Sequence, residues 1–292
     1  MSFLQLLQSN ETLLLVTVTV IGLAVGSFLN VVIYRLPLMM KRTWRSECCE
    51  FLEIENKAGE ESENFNLLKP ASHCPHCNHR ITALQNIPVL SYLLLRGKCS
   101  NCGAAISIRY PSIEILTGAM SFIITLYFGY GTQLIPLLIL TWSLIALSFI
   151  DIDHQLLPDD ITLPVMWLGI LCNMFAVFTD IYASVAGAML GYMSLWSIYI
   201  LFKLVTGKEG MGHGDFKLLA LLGAWMGWQS LPMIVILSSV CGAIVGSGMI
   251  IFRGHDRQTA IPFGPYLAMA GWITLVWGEQ ITGAYNSWFM VP

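Results

Sequence analysis

The sequence predicts an all-α polytopic membrane protein, with about eight transmembrane helices and one small cytoplasmic domain between the first and the second. Apolar residues make up 55% of the 292 and charged residues 11%, against roughly 25% charged in soluble domains. Mean hydropathy is +0.67. Apolar runs approaching the roughly 20 residues a spanning helix needs recur at about 12–34, 112–129, 134–150, 160–179, 182–202, 216–229, 231–252 and 261–282.

The first run is expected to be a retained helix. No Lys or Arg precedes it, it is too long for a secretory signal, and Arg35 follows it. The sixth, Phe216 to Gln229, is short, so a re-entrant or thinned helix competes with a full crossing. Charge favours crossing. If all eight cross, every one of the 15 Lys and Arg falls on one side, which the positive-inside rule makes cytoplasmic, with both termini outside. Only Glu11, Asp180 and Glu279 remain on the far side, whereas omitting the sixth segment would strand Arg253 and Arg257 there. The organisation expected is a first helix at 1–34, a cytoplasmic domain at 35–110, and helices two to eight at 111–292. The bilayer is the expected environment, and no nucleic-acid partner is expected.

The 35–110 domain opens on an acidic stretch in which Glu47, Glu50, Glu53, Glu55, Glu60, Glu61 and Glu63 face only Lys57. Such a run reads as a solvated loop; the alternative is an electrostatic lure for a basic substrate segment. Further on, Cys74-Pro-His-Cys77 and Cys99-Ser-Asn-Cys102 form two Cys-x-x-Cys pairs separated by 21 residues. Two residues between thiolates let one tight turn present both sulfurs to one ion, and two such turns complete a tetrahedral four-sulfur site. Asn78 and Gly103 follow the pairs where each turn needs a positive φ. Disulfides are the competing reading, but thiols stay reduced on the cytoplasmic side. The expectation is structural zinc on Cys74, Cys77, Cys99 and Cys102, with no coordination position left open for catalysis. His73, His76 and His79 read as surface neighbours, and Cys172 and Cys241 as packing residues inside apolar helices. Cys48 and Cys49 have no reading.

Ionisable groups at the edge of a spanning helix are expensive and are functional candidates. Glu114, Asp151, Asp153, Asp159 and Asp215 qualify. Asp151 ends the apolar stretch Leu144 to Ile150, and Asp215 opens the sixth segment after Gly212-His213-Gly214, which places both at one level of the membrane. Two carboxylates brought close share a proton, so one can activate a water while the other polarises a carbonyl, the chemistry of an aspartic protease. Glycines 212 and 214 would let a substrate backbone approach Asp215. Taken singly, Asp215 could be a helix cap and Asp151 a solvated helix-end charge.

Six blocks in order carry a resemblance: Gly26-Ser-Phe-Leu-Asn-Val-Val-Ile-Tyr-Arg-Leu-Pro37, Cys74-Pro-His-Cys77, Arg96-Gly-Lys-Cys-Ser-Asn-Cys102, Arg109-Tyr-Pro-Ser-Ile-Glu114, Asp151-Ile-Asp-His-Gln-Leu-Leu-Pro-Asp159 and Gly212-His-Gly-Asp-Phe-Lys-Leu-Leu219. Over nearly its whole length the chain resembles the bacterial type IV prepilin leader peptidase/N-methyltransferase family, whose intramembrane relatives share a Gly-x-Gly-Asp signature. The resemblance implies a catalytic pair at Asp151 and Asp215. It implies removal of a prepilin or pseudopilin leader after its terminal Gly, then methylation of the new amino terminus from S-adenosylmethionine, at the inner membrane of a bacterium with type IV pili or type II secretion. The acidic insertion at 41–69 is longer than in some relatives.

Methyl transfer is not read from composition or spacing. No Gly-x-Gly-x-x-Gly loop follows a strand, so a soluble Rossmann-type methyltransferase fold is excluded. Gly97, Arg109 and Glu114 are weak candidates for the cofactor site, Glu114 also reading as an ion-pair partner of Arg109. Two other function classes compete: an ion- or proton-coupled transporter with a regulatory zinc module, and a zinc-bearing scaffold. No internal repeat supports the transporter.

Overall fold

A computed structural model describes residues 3–54, 65–82, 84–208, 210–253 and 262–289. Among them every long element is a helix: α1 Phe3–Ser9, α2 Glu11–Phe51, α3 Leu90–Leu94, α4 Arg109–Phe128, α5 Leu134–His154, α6 Asp159–Met174, α7 Ile181–Thr206, α8 His213–Met226, α9 Leu231–Arg253 and α10 Gly264–Phe289. The eight apolar runs are α2 and α4 to α10. Five stretches, Glu11–Phe51, Arg109–Phe128, Leu134–His154, Ile181–Thr206 and Trp228–Gly248, are long and apolar enough to cross a membrane by length and composition. Residues Glu55 to Glu63 of the acidic run, with Lys57, and Arg257 lie outside the described residues.

The chain divides into two compact units, Met1–Tyr130 and Gly131–Pro292. In the first, α2 packs along α4. A β-carbon added at Gly22 would sit 2.5 Å from Ser121 Oγ, and one at Gly26 would sit 2.8 Å from the Glu114 α-carbon. This Gly-x-x-x-Gly spacing against small residues lets two backbones approach, which is how helices associate without a hydrophobic driving force. The expected first segment stops near residue 34, but α2 continues as helix through Pro37 to Phe51. Its last turns, from Lys41 onward, are largely exposed. Asn10 starts it, accepting the Leu13 N–H at 2.9 Å. Arg35 is buried and donates to the carbonyls of Asn66 (3.0 Å) and Pro70 (2.7 Å), fastening the following loop to the helix.

The second unit is built around α8. Phe216, Leu218, Leu219, Leu221, Leu222, Ala224 and Trp225 are fully buried, so α8 is apolar all round and enclosed rather than amphipathic. Its 14 residues reach about 21 Å, short of the roughly 30 Å hydrocarbon layer. Asn173 of α6 donates to the carbonyls of Ala224 (2.9 Å) and Trp225 (3.1 Å), satisfying orphan acceptors at the end of α8. Trp225 Nε1 donates back to Val165 O at 2.9 Å.

Helix α7 meets α8 backbone to backbone. A β-carbon at Gly187 would fall on the carbonyl oxygen of Gly223, and one at Gly191 would lie 2.7 Å from Leu219 O. Gly187→Ala therefore has to push two helices apart. A loss of about 1–3 kcal/mol is expected from overpacking, read as a lowered thermal midpoint in detergent with Gly283→Ala, whose β-carbon meets nothing within 4 Å, as the reference.

Candidate active site and metal centre

In the first unit the two Cys-x-x-Cys turns come together. The sulfurs of Cys74, Cys77, Cys99 and Cys102 all lie within 4.8 Å of one another, with Cys74 to Cys102 at 3.9 Å and Cys77 to Cys99 at 4.0 Å. A disulfide needs about 2.05 Å, whereas four sulfurs about 2.3 Å from a tetrahedral ion stand about 3.8 Å apart. The spacing fits a metal. Each turn is a short knuckle: the Asn78 N–H returns to Cys74 O at 2.9 Å and the Gly103 N–H to Cys99 O at 3.0 Å. Asn78 and Gly103 have φ of 55° and 70°, as expected from their places after the second thiol. Backbone N–H groups of Cys102 and Asn101 point at the Cys99 sulfur and pull its pKa down to about 6. The Asn101 side chain, donating to Cys77 Sγ at 3.6 Å, lowers that thiol as well. Both favour the thiolate a metal requires, while the neighbouring thiols, Cys77 first, push Cys102 up to about 11. His73, His76 and His79 stay outside the cluster, and Cys172 and Cys241 are half-buried in α6 and α9.

The other first-unit candidates have distinct settings. Gly97 holds a φ of 67°, and a β-carbon there would press on Tyr92 Oη at 3.0 Å. Arg109 opens α4. Glu114 is buried, and its Oε2 accepts the Val89 N–H at 2.7 Å. Val89 itself is strained: φ is 60° and ψ −47°, and the Leu90 N–H closes on Pro88 O at 2.5 Å. That is a γ-turn of the rarer hand, centred on a β-branched residue.

In the second unit Asp151 and Asp215 are both buried, at 5% and 7% exposure. Asp151 occupies the last turn of α5, which ends at Gln155 in the left-handed conformation, its N–H returning to Asp151 O. Asp215 is the third residue of α8. Leu157 packs against Gly214, next to Asp215, and against Gly264, whose N–H holds Asp151, so the loop after α5 brings the two carboxylates to neighbouring positions. Asp153 is exposed, as its position about 200° further round the helix requires. Asp159 opens α6 behind Pro158 and takes the Lys217 ammonium on both oxygens, at 2.8 and 2.7 Å. This pair joins the Asp151–Asp159 block to the Gly212–Leu219 block.

The two glycines beside Asp215 differ. Beside Gly212 the nearest group is Asp215 Oδ2, 3.9 Å from an added β-carbon, which leaves the approach that sequence suggested. Gly214 is already filled, because a β-carbon there would lie 2.8 Å from Leu157 Cβ. Its small size serves packing of the Asp151 loop. Sequence reading missed Gly264, whose N–H donates to Asp151 Oδ2 at 3.0 Å. The available signal was the helix start Pro262-Phe-Gly-Pro265. It also missed the stack of His213 on Tyr199 and Phe216, with centroids 5.2 and 5.4 Å apart.

Fold and site define a multi-helix membrane protein with a four-thiol cluster in one unit and a pair of buried carboxylates at helix ends in the other. Residues 20–128 match the Bacterial Peptidase A24 N-terminal domain and residues 138–247 the Type IV leader peptidase family. The chain belongs to the type IV leader peptidase family. It is similar to the prepilin leader peptidase/N-methyltransferases of Stutzerimonas stutzeri (53% identical, covering 98% of each chain) and Pseudomonas aeruginosa (52%, 98% of each). That of Pseudomonas putida is 56% identical over 90% of each chain. No solved structure matches.

Proposed function

We propose that this chain is a membrane aspartic endopeptidase that removes the leader of type IV prepilins or pseudopilins and methylates the new amino terminus. One observation carries the reading: Asp151 and Asp215, both buried and flanked by the same side chain, Leu157, lie within the stretch that matches the leader peptidase family. Near full-length identity to prepilin leader peptidase/N-methyltransferases supports both activities.

Hydrolysis follows from one shared proton. The ionised carboxylate takes a proton from a water, whose oxygen attacks the scissile carbonyl carbon, while the protonated carboxyl donates to the carbonyl oxygen. Collapse of the tetrahedral species breaks the C–N bond, and the proton taken from water passes to the leaving amine. Lys203, Lys208 and Lys217 flank this end of the second unit, which supports a cytoplasmic active face. The leader is then a short basic segment ahead of an apolar helix that enters laterally from the bilayer, drawn by anionic lipid.

The first unit, with zinc on its four cysteines as a structural ion, is our choice for methyl transfer. S-adenosylmethionine supplies an electrophilic methyl group on a sulfonium. Among Gly97, Arg109 and Glu114, the setting of Glu114 fits best, since a buried carboxylate beside a strained turn suits a cationic amine or sulfonium. The test is purified protein with a synthetic prepilin, reading product mass and amino-terminal state. Glu114→Gln is expected to lower methylation at least about tenfold, the cost of one lost charge-assisted contact, and to leave cleavage within about twofold. Equal loss of both products would assign Glu114 to folding.

A further inference from the structure

Gly264 stands where a helix start meets a catalytic candidate, and its neighbours account for every backbone donor at that end of α10. The Tyr266 and Leu267 N–H groups return to Phe263 O at 3.1 and 3.2 Å. Pro265 has no N–H. The Gly264 N–H has no acceptor within the helix, and it is the one that reaches Asp151 Oδ2, at 3.0 Å. Among the described residues it is the single hydrogen bond to that carboxylate.

Glycine here supplies room, not conformation. Gly264 is absent from the positive-φ residues, so its backbone is open to any side chain. A β-carbon, however, would lie 2.6 Å from Asp151 Oδ2 and 3.2 Å from Asp151 Cγ. Leu157 Cδ1 would also lie 3.2 Å away. The carboxylate therefore rests against the bare α-carbon of Gly264, at the positive end of a 26-residue helix, where an anion is favoured.

We propose that Gly264 is the positioning residue of the carboxylate pair: its N–H fixes Asp151 Oδ2 and so turns Oδ1 toward Asp215 and the attacking water. This rests on the reading of Asp151 and Asp215 as the peptidase pair. Gly264 touches no reacting atom; it sets the angle at which Asp151 is presented. Leu157 is wedged behind it, against both Gly264 and Gly214, so the loop after α5 holds the starts of α8 and α10 in register around the pair.

The experiment uses full-length enzyme in detergent with a prepilin substrate and compares Gly264→Ala, Leu157→Ala, the double variant, Asp151→Asn and Gly271→Ala. Gly271 lies on the same helix, but the three atoms nearest its added β-carbon all belong to the Leu222 side chain, the first at 2.5 Å. Gly264→Ala should lower kcat by about 100-fold, the usual consequence of displacing a reacting group by about 1 Å, with KM within about threefold. Gly271→Ala should keep kcat within about threefold. Leu157→Ala frees the second clash and not the first, so the double variant should stay as slow as Gly264→Ala. It also supplies a folded protein if the single variant is unstable. Recovery of the double variant to the rate of Leu157→Ala would make Gly264 a packing residue and overturn the proposal. So would Gly264→Ala at near wild-type kcat while Asp151→Asn is dead. If Asp151→Asn itself cleaves normally, the peptidase-pair reading fails first.

Discussion

Asp151→Asn and Asp215→Asn are each expected to abolish prepilin cleavage almost completely, a loss on the order of 10⁴-fold in kcat, with the double variant little worse than either. The reason is that neither carboxyl can act as acid and base alone, so removing one already removes the unit. Both side chains are buried, and Asn keeps their size, so the proteins should still insert and still bind metal. Asp153→Asn should be mild, because that residue is exposed. Methylation of a pre-cleaved pilin should survive in both catalytic variants if the two activities occupy separate sites. Cleavage at near wild-type rate in either variant would end the dyad reading, and a dominant loss at Asp153 would move the assignment two residues along the motif.

Changing Cys74 or Cys99 to Ser should remove the bound metal, which elemental analysis of wild-type protein should find as about one zinc per chain. The expected cost is large because the knuckles have few other supports. Two isolated bridges, His73 with Arg80 and Lys98 with Ala105, are their main pairing besides the turns themselves. Structural zinc contributes about 10–16 kcal/mol of binding energy that is also folding energy. Limited proteolysis should therefore cut 70–106 in the variants and spare it in the wild type. Peptidase activity should fall through stability or substrate capture, seen as a change in KM and in active fraction at nearly constant kcat. A metal-free wild-type protein with its thiols paired as disulfides would remove the idea.

Much of this architecture was legible because bilayer and metal chemistry both impose rules on local sequence. Apolar runs had to be helices, and thiol pairs with two residues between them had to be turns. Asp151 and Asp215 stood out since each charge sits where apolar residues dominate. What escaped was set by backbone groups or by the third dimension. Gly264 acts through an N–H that every residue but proline carries, so nothing in its side chain announces it. Glu114 likewise accepts from a main-chain donor, the Val89 N–H, which no side chain in the sequence announces. The end of α2 lay beyond what hydropathy marks: Arg35 follows the apolar run, but a helix does not need a membrane to continue, and this one runs to Phe51. Pro37 gives up one hydrogen bond without ending it.

That unbroken α2 governs which insertions and deletions the chain can absorb. Each residue added between 38 and 51 would turn everything beyond it by about 100° and advance it by about 1.5 Å. The carbonyls of Asn66 and Pro70 must still return to Arg35, so an added turn in α2 has to be absorbed before residue 66. A single alanine inserted at 45 should therefore rotate the exposed tip beyond Trp44 by about 100° while leaving metal content and the Arg35 anchoring intact.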